Sequence, residues 1–313
     1  WNVLKHWIIN NTSPLWIKLS NLLFVLFDNI YSIRQAEIED CEEISAAINT
    51  FLTHQHLDWD TLLDQIQTKS VFLFYQNHHL TGILSLSGEN PQNQWVKLFA
   101  VRNEHQKHLV WKKLLEYACK HGKTPHFYTI AFWDWYRKMI TNDSHFSLFE
   151  QIIVLQKQDA TKPYGKSKHS ITEISPINID EFSNIQEIDQ TAFEPPWQFS
   201  PSTLNTAIQE SKIRIAARSQ EKIVGFLLAD YEGFTAHLAR VAVLPLYTRK
   251  GIASALIQEM FSILQGKVFA GITVNTQETN TASINLYRKF GFQLTGEKIP
   301  VFRYHLSAME AAI

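Results

Sequence analysis

The stretch Leu238-Ala239-Arg240-Val241-Ala242-Val243-Leu244-Pro245-Leu246-Tyr247-Thr248-Arg249-Lys250-Gly251-Ile252-Ala253-Ser254-Ala255-Leu256 has residue types and spacing that suit anion binding. An apolar strand stops at a proline, a short basic loop turns, and a helix begins at a glycine. The first backbone N–H groups of a helix have no intrahelical partner, and the helix dipole is positive there, so an anion such as a pyrophosphate can sit on them. Gly251 and the small Ala253 and Ser254 let phosphates approach the backbone closely. A glycine at a helix start is also compatible with a plain turn, so the neighbouring sequence has to decide.

A second segment does so. It reads Thr273-Val274-Asn275-Thr276-Gln277-Glu278-Thr279-Asn280-Thr281-Ala282-Ser283-Ile284-Asn285-Leu286-Tyr287-Arg288-Lys289-Phe290-Gly291-Phe292. Together the two segments resemble the GNAT acetyltransferases. The family loop Gln/Arg-x-x-Gly-x-Gly/Ala is matched by Thr248-Arg249-Lys250-Gly251-Ile252-Ala253. The later pattern Asn-x-x-Ala/Ser-x-x-Leu-Tyr-x-x-x-Gly-Phe is nearly complete from Asn280 to Phe292. With the Phe-x-x-Pro-Trp loop at Phe193–Trp197, the region is similar to the ribosomal-protein-alanine type of N-acetyltransferase.

The resemblance implies acetyl-coenzyme A (acetyl-CoA) as donor and direct transfer of acetyl to an amine, either a small molecule or a peptide N-terminus. It implies that the backbone around Val241, Ala242 and Val243 holds the pantetheine arm and that Thr248, Arg249, Lys250, Gly251, Ile252, Ala253 and Ser254 hold the pyrophosphate. Asn280 would contact the cofactor, Tyr287 would protonate the leaving thiolate, and Phe193 and Trp197 would line the acceptor site. Thr248 departs from the pattern and removes one long polar side chain. The general base of the ribosomal type, a glutamate, falls on Asn275, which cannot accept a proton. His237 and Glu232, flanking the central strand, are the alternatives, and histidine suits proton removal near neutral pH. For His237 the other reading is a strand histidine in solvent or at a domain seam; for Glu232 it is a solvated turn charge. A water chain is a third route. The missing glutamate keeps open a different class, a non-catalytic acyl-CoA-binding or sensor protein.

Periodicity supplies elements to position these residues. Phe182, Ile185, Ile188 and Ala192 recur at helical spacing, and the prolines after Phe193 end that helix. Ser200 caps a second helix with Pro201 in its first position. Ile213–Ala217 and Lys222–Tyr231 read as paired strands, Ala236–Leu244 as the central strand, and Gly251–Leu264 as an amphipathic helix. Val268–Val274, Thr281–Phe290 and Phe292–Leu306 complete a strand, helix and closing strands.

The earlier part repeats this order weakly, with strands near Ile30–Arg34, Val71–Tyr75, Leu80–Leu86 and Val96–Val101, a helix at Gln106–His121 and a strand at His126–Phe132. Trp135-Tyr136-Arg137-Lys138, on a helix at Trp133–Ile140, echoes Leu286-Tyr287-Arg288-Lys289, and Phe146–Gln156 closes the copy. The expected fold is therefore α/β, with two tandem GNAT-like domains, each a mixed central sheet flanked by helices. The boundaries are an apolar extension over 1–29, a degenerate domain over 30–156, a polar linker over 157–170 and the catalytic domain over 171–313. In the first copy His108 stands where the second has Gly251 and would fill the phosphate space, so one coenzyme A per chain is expected.

Bulk composition agrees: 45% apolar and 19% charged residues suffice for two cores. A net charge of -1 argues against a nucleic-acid partner. The two cysteines, Cys41 and Cys119, form no metal-spaced cluster or disulfide framework, so a reducing, cytoplasmic compartment is expected. The histidine run His105–His108 lacks spaced carboxylates and reads as a solvated helix start, with no metal. The chain begins at Trp1, and Leu15–Phe27 is too short and too interrupted to span a membrane, which takes about 20 apolar residues.

Overall fold

The computed structural model describes residues 31–56, 62–87, 93–121, 127–158, 173–267 and 269–305. The expected extension 1–29 and nearly all of the expected linker lie outside them. The chain folds into two compact units that interleave in sequence. The expected α/β class is what the elements form.

The first unit holds β1 (Tyr31–Gln35), α1 (Cys41–Thr50), β2 (Leu52–Gln55), α2 (Leu62–Gln67), β3 (Val71–Gln76), β4 (His79–Leu86), the latter part of β5 (Gln94–Val101) and α3 (Lys107–His121). Its strands run in the order β1-β3-β4-β5, with β2 on β5. Asn77 and His78, both left-handed, make the two-residue turn between β3 and β4, a geometry whose twist suits a hairpin. One sheet face packs Leu73, Ile83 and Leu98 against Ile44, Ala47 and Ile66 of α1 and α2.

The second unit holds the start of β5, then β6 (Phe127–Ile130), α4 (Asp134–Thr141), β7 (Phe146–Lys157), β8 (Glu173–Pro176), α5 (Phe182–Ala192), α6 (Pro201–Glu210), β9 (Ile213–Ser219), β10 (Lys222–Glu232), β11 (Thr235–Val243), α7 (Ile252–Leu264), β12 (Gly271–Gln277), α8 (Thr281–Lys289) and β13 (Gln293–Tyr304). Its strands run β5-β6-β13-β7-β12-β11-β10-β9-β8. Gln220 and Glu221 repeat the left-handed hairpin turn between β9 and β10. Ser200 Oγ accepts from the Thr203 amide at 3.1 Å and Pro201 leads α6, as the sequence predicts. Helices α7 and α8 cover one sheet face, where Leu256, Ile257, Met260, Phe261 and Tyr287 meet Leu227, Leu238 and Val274. Helices α5 and α6 cover the other, where Ile185, Ile188, Leu204 and Ala207 meet Phe226, Leu228 and Ala242.

Strand pairing departs from two sequential domains at β7. The sequence predicts this strand as the close of the first copy. It instead lies between β12 and β13, pairing Asn275 with Val154 and Ile299 with Ile152. Ile153 and Leu155 are buried in the core under α7. Strand β13 in turn pairs with β6. The last strands of the two repeats are thus exchanged. Alternation along a strand fixes which face is buried but not which neighbour it joins.

Candidate functional site

The site forms where two parallel strands part. Strand β11 pairs with β12 only from Thr235–Gly271 to Leu238–Val274. Beyond that, β12 continues against β7 while β11 stays on β10 as far as Val243. A bulge marks the divergence: Leu228 faces Arg240 and Ala229 faces Leu238, leaving Ala239 as the extra residue on β11. Such bulges bend a strand and raise its twist. The Leu244 N–H bonds to Val224 on β10 at 2.9 Å. Alternate residues point their backbone groups the same way, so Ala242 also turns to β10, and Val241 and Val243 turn theirs into the gap. Of the three residues expected at the pantetheine, the two valines have the right orientation and Ala242 packs in the core.

The chain leaves β11 through a single 3-10 turn, Pro245–Tyr247, and Thr248 Oγ1 donates to the Pro245 carbonyl at 2.9 Å. That bond spends the Thr248 hydroxyl within the turn. Arg249 is left-handed, with φ of 61°, and Gly251 is the N-cap of α7, with φ of 84° and ψ of 1°. No side chain caps this helix end. A Cβ on Gly251 would meet nothing within 4 Å, so the ground in front of the first turn is open. Ile252 is buried and anchors the turn, while Ala253 and Ser254 remain half-buried at its surface. Lys250 reaches back so that Nζ lies 4.9 Å from the Tyr247 ring centre.

At the corresponding point of the first repeat the geometry differs. Asn103 Oδ1 accepts from the His105 amide at 3.0 Å, a 3-10 turn follows, and α3 starts at Lys107. Described residues 101–121 include none with positive φ. His108 lies in the first turn of α3, in place of an open glycine.

Asn280 caps α8, its Oδ1 accepting from the Ser283 amide at 3.0 Å, and its Nδ2 points to Gln277 Oε1 at 3.4 Å. Tyr287, one turn beyond Ser283, is 4% exposed, with its ring 5.9 Å from that of Phe292. Burial raises the phenol's pKa well above its ordinary value, against the lesser effect of a hydrogen bond with Ser283, so the hydroxyl keeps its proton. Tyr136 in the echoing motif is likewise buried and bonds Thr129 Oγ1 at 2.8 Å.

His237 lies on β11 one residue before the end of its β12 ladder, with Nδ1 2.9 Å from Thr273 Oγ1. Burial lowers its pKa below the ordinary histidine value, opposed by the nearby Asp230. The neutral, proton-accepting form is therefore favoured near neutral pH. Glu232 lies at the hairpin end of β10, in a recess with Lys212, Tyr231, Gly233, Lys267 and Phe269. Glu232 faces Thr235, three residues before the last β11–β12 pair at Leu238, on the order of 10 Å at about 3.3 Å per residue. His237 is the nearer of the two to the point where the strands part.

Two residues to which the sequence assigned no role organise the opposite face of the gap. Arg240 Nε bonds Asp189 Oδ1 at 2.5 Å, and Arg240 Nη2 bonds the Trp197 carbonyl at 2.8 Å. Its guanidinium lies between the rings of Phe193 and Phe199, 3.8 and 3.7 Å from their centres. Asp189 Oδ2 accepts from the Phe199 amide at 2.9 Å. The loop of Phe193 and Trp197, with its cis Pro195-Pro196 bond, is thereby clamped to β11. The signal was a charged residue inside an apolar strand, matched by an aspartate beside the apolar stripe of α5.

Residues 182–292 match the sequence model of the acetyltransferase (GNAT) family. Over 119 residues the chain is 29% identical to a ribosomal protein bS18-alanine N-acetyltransferase of Haemophilus influenzae, covering 38% of this chain and 80% of the relative. Over 89 residues it is 28% identical to a peptidyl-lysine N-acetyltransferase of Salmonella typhimurium, covering 28% of this chain and 55% of that one. A tandem GNAT protein from the clavulanic acid biosynthesis pathway shares the fold with a TM-score of 0.60 at 9% identity, over 88% of this chain and 98% of the other. Among the described residues no helix is long and apolar enough to cross a membrane. The parted strands and the open helix start thus lie within a GNAT acetyltransferase family domain, carried by a chain with the tandem GNAT fold.

Proposed function

We propose that the chain is an acetyl-CoA-dependent N-acetyltransferase with one working site, in the GNAT domain. The observation that carries this is the open, uncapped start of α7 at left-handed Gly251, at the foot of a gap lined by the backbone of Val241 and Val243. The amides of Gly251–Ser254 would hold the pyrophosphate, with Arg249 and Lys250 adding charge. The Val241 and Val243 backbone would extend the ladder to the amides of the pantetheine arm. Acetyl-CoA supplies the acetyl group as a thioester.

The acceptor amine attacks the thioester carbonyl carbon directly, a C–N bond forms and the C–S bond breaks. Tyr287, kept protonated by burial, donates its proton to the departing sulfur. His237, kept neutral by burial, takes the amine's proton, directly or through water. His237 is preferred to Glu232 because it lies nearer the parting of the strands, and Asn280 acts by capping α8. The first repeat has a capped turn in place of an open glycine, so it holds no second coenzyme A in this scheme. The relatives' names point to peptide amines as acceptors in those proteins. A thiol-release assay with acetyl-CoA and amine tests the reading. Amine-dependent release of one thiol per acetylated product is expected. Tight acetyl-CoA binding with no release for any amine or peptide would favour a sensor instead.

A further inference from the structure

The clamp on β11 leads to an aromatic surface. Through its carbonyl Trp197 is fixed to Arg240, beside the gap. Its ring is 5.4 Å from that of Trp95 and stacks on that of Phe149 at 6.4 Å and 28°. Trp95 Nε1 donates to the Pro196 carbonyl at 3.1 Å, which fixes the loop from its other side. Tyr128 sets its edge to Phe149 at 5.1 Å. Ile152 and Val154 pack with Trp95 and Trp197 and stand opposite Gln277 and Asn275 in the β7–β12 ladder. Trp197 therefore links the parted strand β11, through its carbonyl, to the exchanged strand β7, through its ring. Phe149 is 37% exposed, and Trp95 and Trp197 are half-buried, so the surface is open on one side.

We infer that this surface is the acceptor wall, and that it selects amines carrying an aromatic or branched apolar group a few bonds from the nitrogen. The inference rests on the acetyltransfer reading. Ring faces stack on a ring and attract an adjacent ammonium. Arg240 is paired with Asp189, and the Arg303 guanidinium lies over the Phe149 ring at 5.8 Å. Trp95, Tyr128 and Phe149 all precede residue 157, so the first repeat contributes specificity through its strands.

The test uses the full chain and three acceptors: phenylethylamine, a phenylalanine-initiated tripeptide amide and ethylamine. The parent is expected to use a ring-bearing acceptor with a KM at least about tenfold below that of ethylamine. Phe149→Ala is expected to raise the ring acceptor's KM about tenfold, with smaller effects on its kcat and on the KM of ethylamine, which carries no ring. The two ring acceptors tell a free amine from a peptide N-terminus as the source. Tryptophan fluorescence titrated with phenylethylamine gives a readout without turnover, a saturable change that Phe149→Ala weakens. Turnover of ethylamine with no preference for a ring would overturn the wall and leave acetyl transfer standing. Saturable binding without turnover would support the wall and sink acetyl transfer. Neither binding nor turnover would sink both.

Discussion

Removing the charge of either Arg240 or Asp189 should be among the most damaging single changes in the second unit. Both side chains are nearly dehydrated, with exposures of 8% and 0%. Arg240→Met leaves a buried carboxylate facing the Phe199 amide alone, and Asp189→Asn leaves a buried guanidinium between two rings. Stranding one member of a buried pair costs about 3–5 kcal/mol, while replacing both charges is often close to neutral. At about 2–4 °C per kcal/mol, each single variant should melt on the order of 10 °C below the parent. In Arg240→Met/Asp189→Asn no charge is stranded, and the introduced asparagine keeps a carbonyl acceptor for the Phe199 amide. The double variant should recover about 2 kcal/mol or more relative to the sum of the singles. Its acceptor KM should stay raised, because the bond to the Trp197 carbonyl is still missing. Denaturant unfolding of the four proteins, with steady-state kinetics on each, measures both effects. Additive effects, each within about 1 kcal/mol of the parent, would mean that the pair is solvated and does not hold the loop.

Tyr287→Phe keeps the ring and removes the hydroxyl. Turnover should fall at least about tenfold, with coenzyme A affinity unchanged, and turnover within twofold would make Tyr287 a packing residue. Protonated His237 cannot accept a proton, and its pKa lies below the ordinary histidine value. The acid limb of the pH–rate profile should therefore lie below that value and vanish in His237→Gln; an unchanged limb would assign the base elsewhere. Glu181 is held below its ordinary carboxylate pKa, chiefly by the hydrogen bond from Arg218. That pairing should stabilise the fold above the unfolded carboxylate pKa and be lost as pH falls through the lowered folded value. Arg218→Met should cost about 1 kcal/mol at neutral pH and converge on the parent in acid, measured by urea unfolding.

The elements proposed to hold the donor were legible because they rest on local signals. Pro245 stops a strand, Gly251 permits the left-handed turn, and the stripe through Leu256 and Met260 sets α7 on the sheet. The chemistry around Tyr287 could be placed but not its environment, because burial is a tertiary property. Glu232 looked equivalent to His237 since both flank β11, and only strand length and register separate them. The exchange of β7 left no mark on the sequence: Ile153 and Leu155 alternate as they would beside either neighbour. The Arg240–Asp189 pair joins residues far apart in the chain, and without the fold each reads as an isolated charge. The aromatic wall was half visible, in Trp197, because its other rings lie on strands assigned to the first repeat.

Calorimetric titration of acetyl-CoA into the parent and Gly251→Asn tests the central claim most directly. Asparagine tolerates the left-handed backbone better than other residues with a Cβ. Gly251 has φ of 84°, and an added Cβ meets nothing in the protein, so the fold should lose about 1 kcal/mol or less. The side chain would stand in the ground assigned to the phosphates. One acetyl-CoA per parent chain is expected, with at least about a hundredfold weaker binding in Gly251→Asn and melting temperatures within a few degrees. Two molecules bound per parent chain, or unchanged affinity in the variant, would contradict that claim.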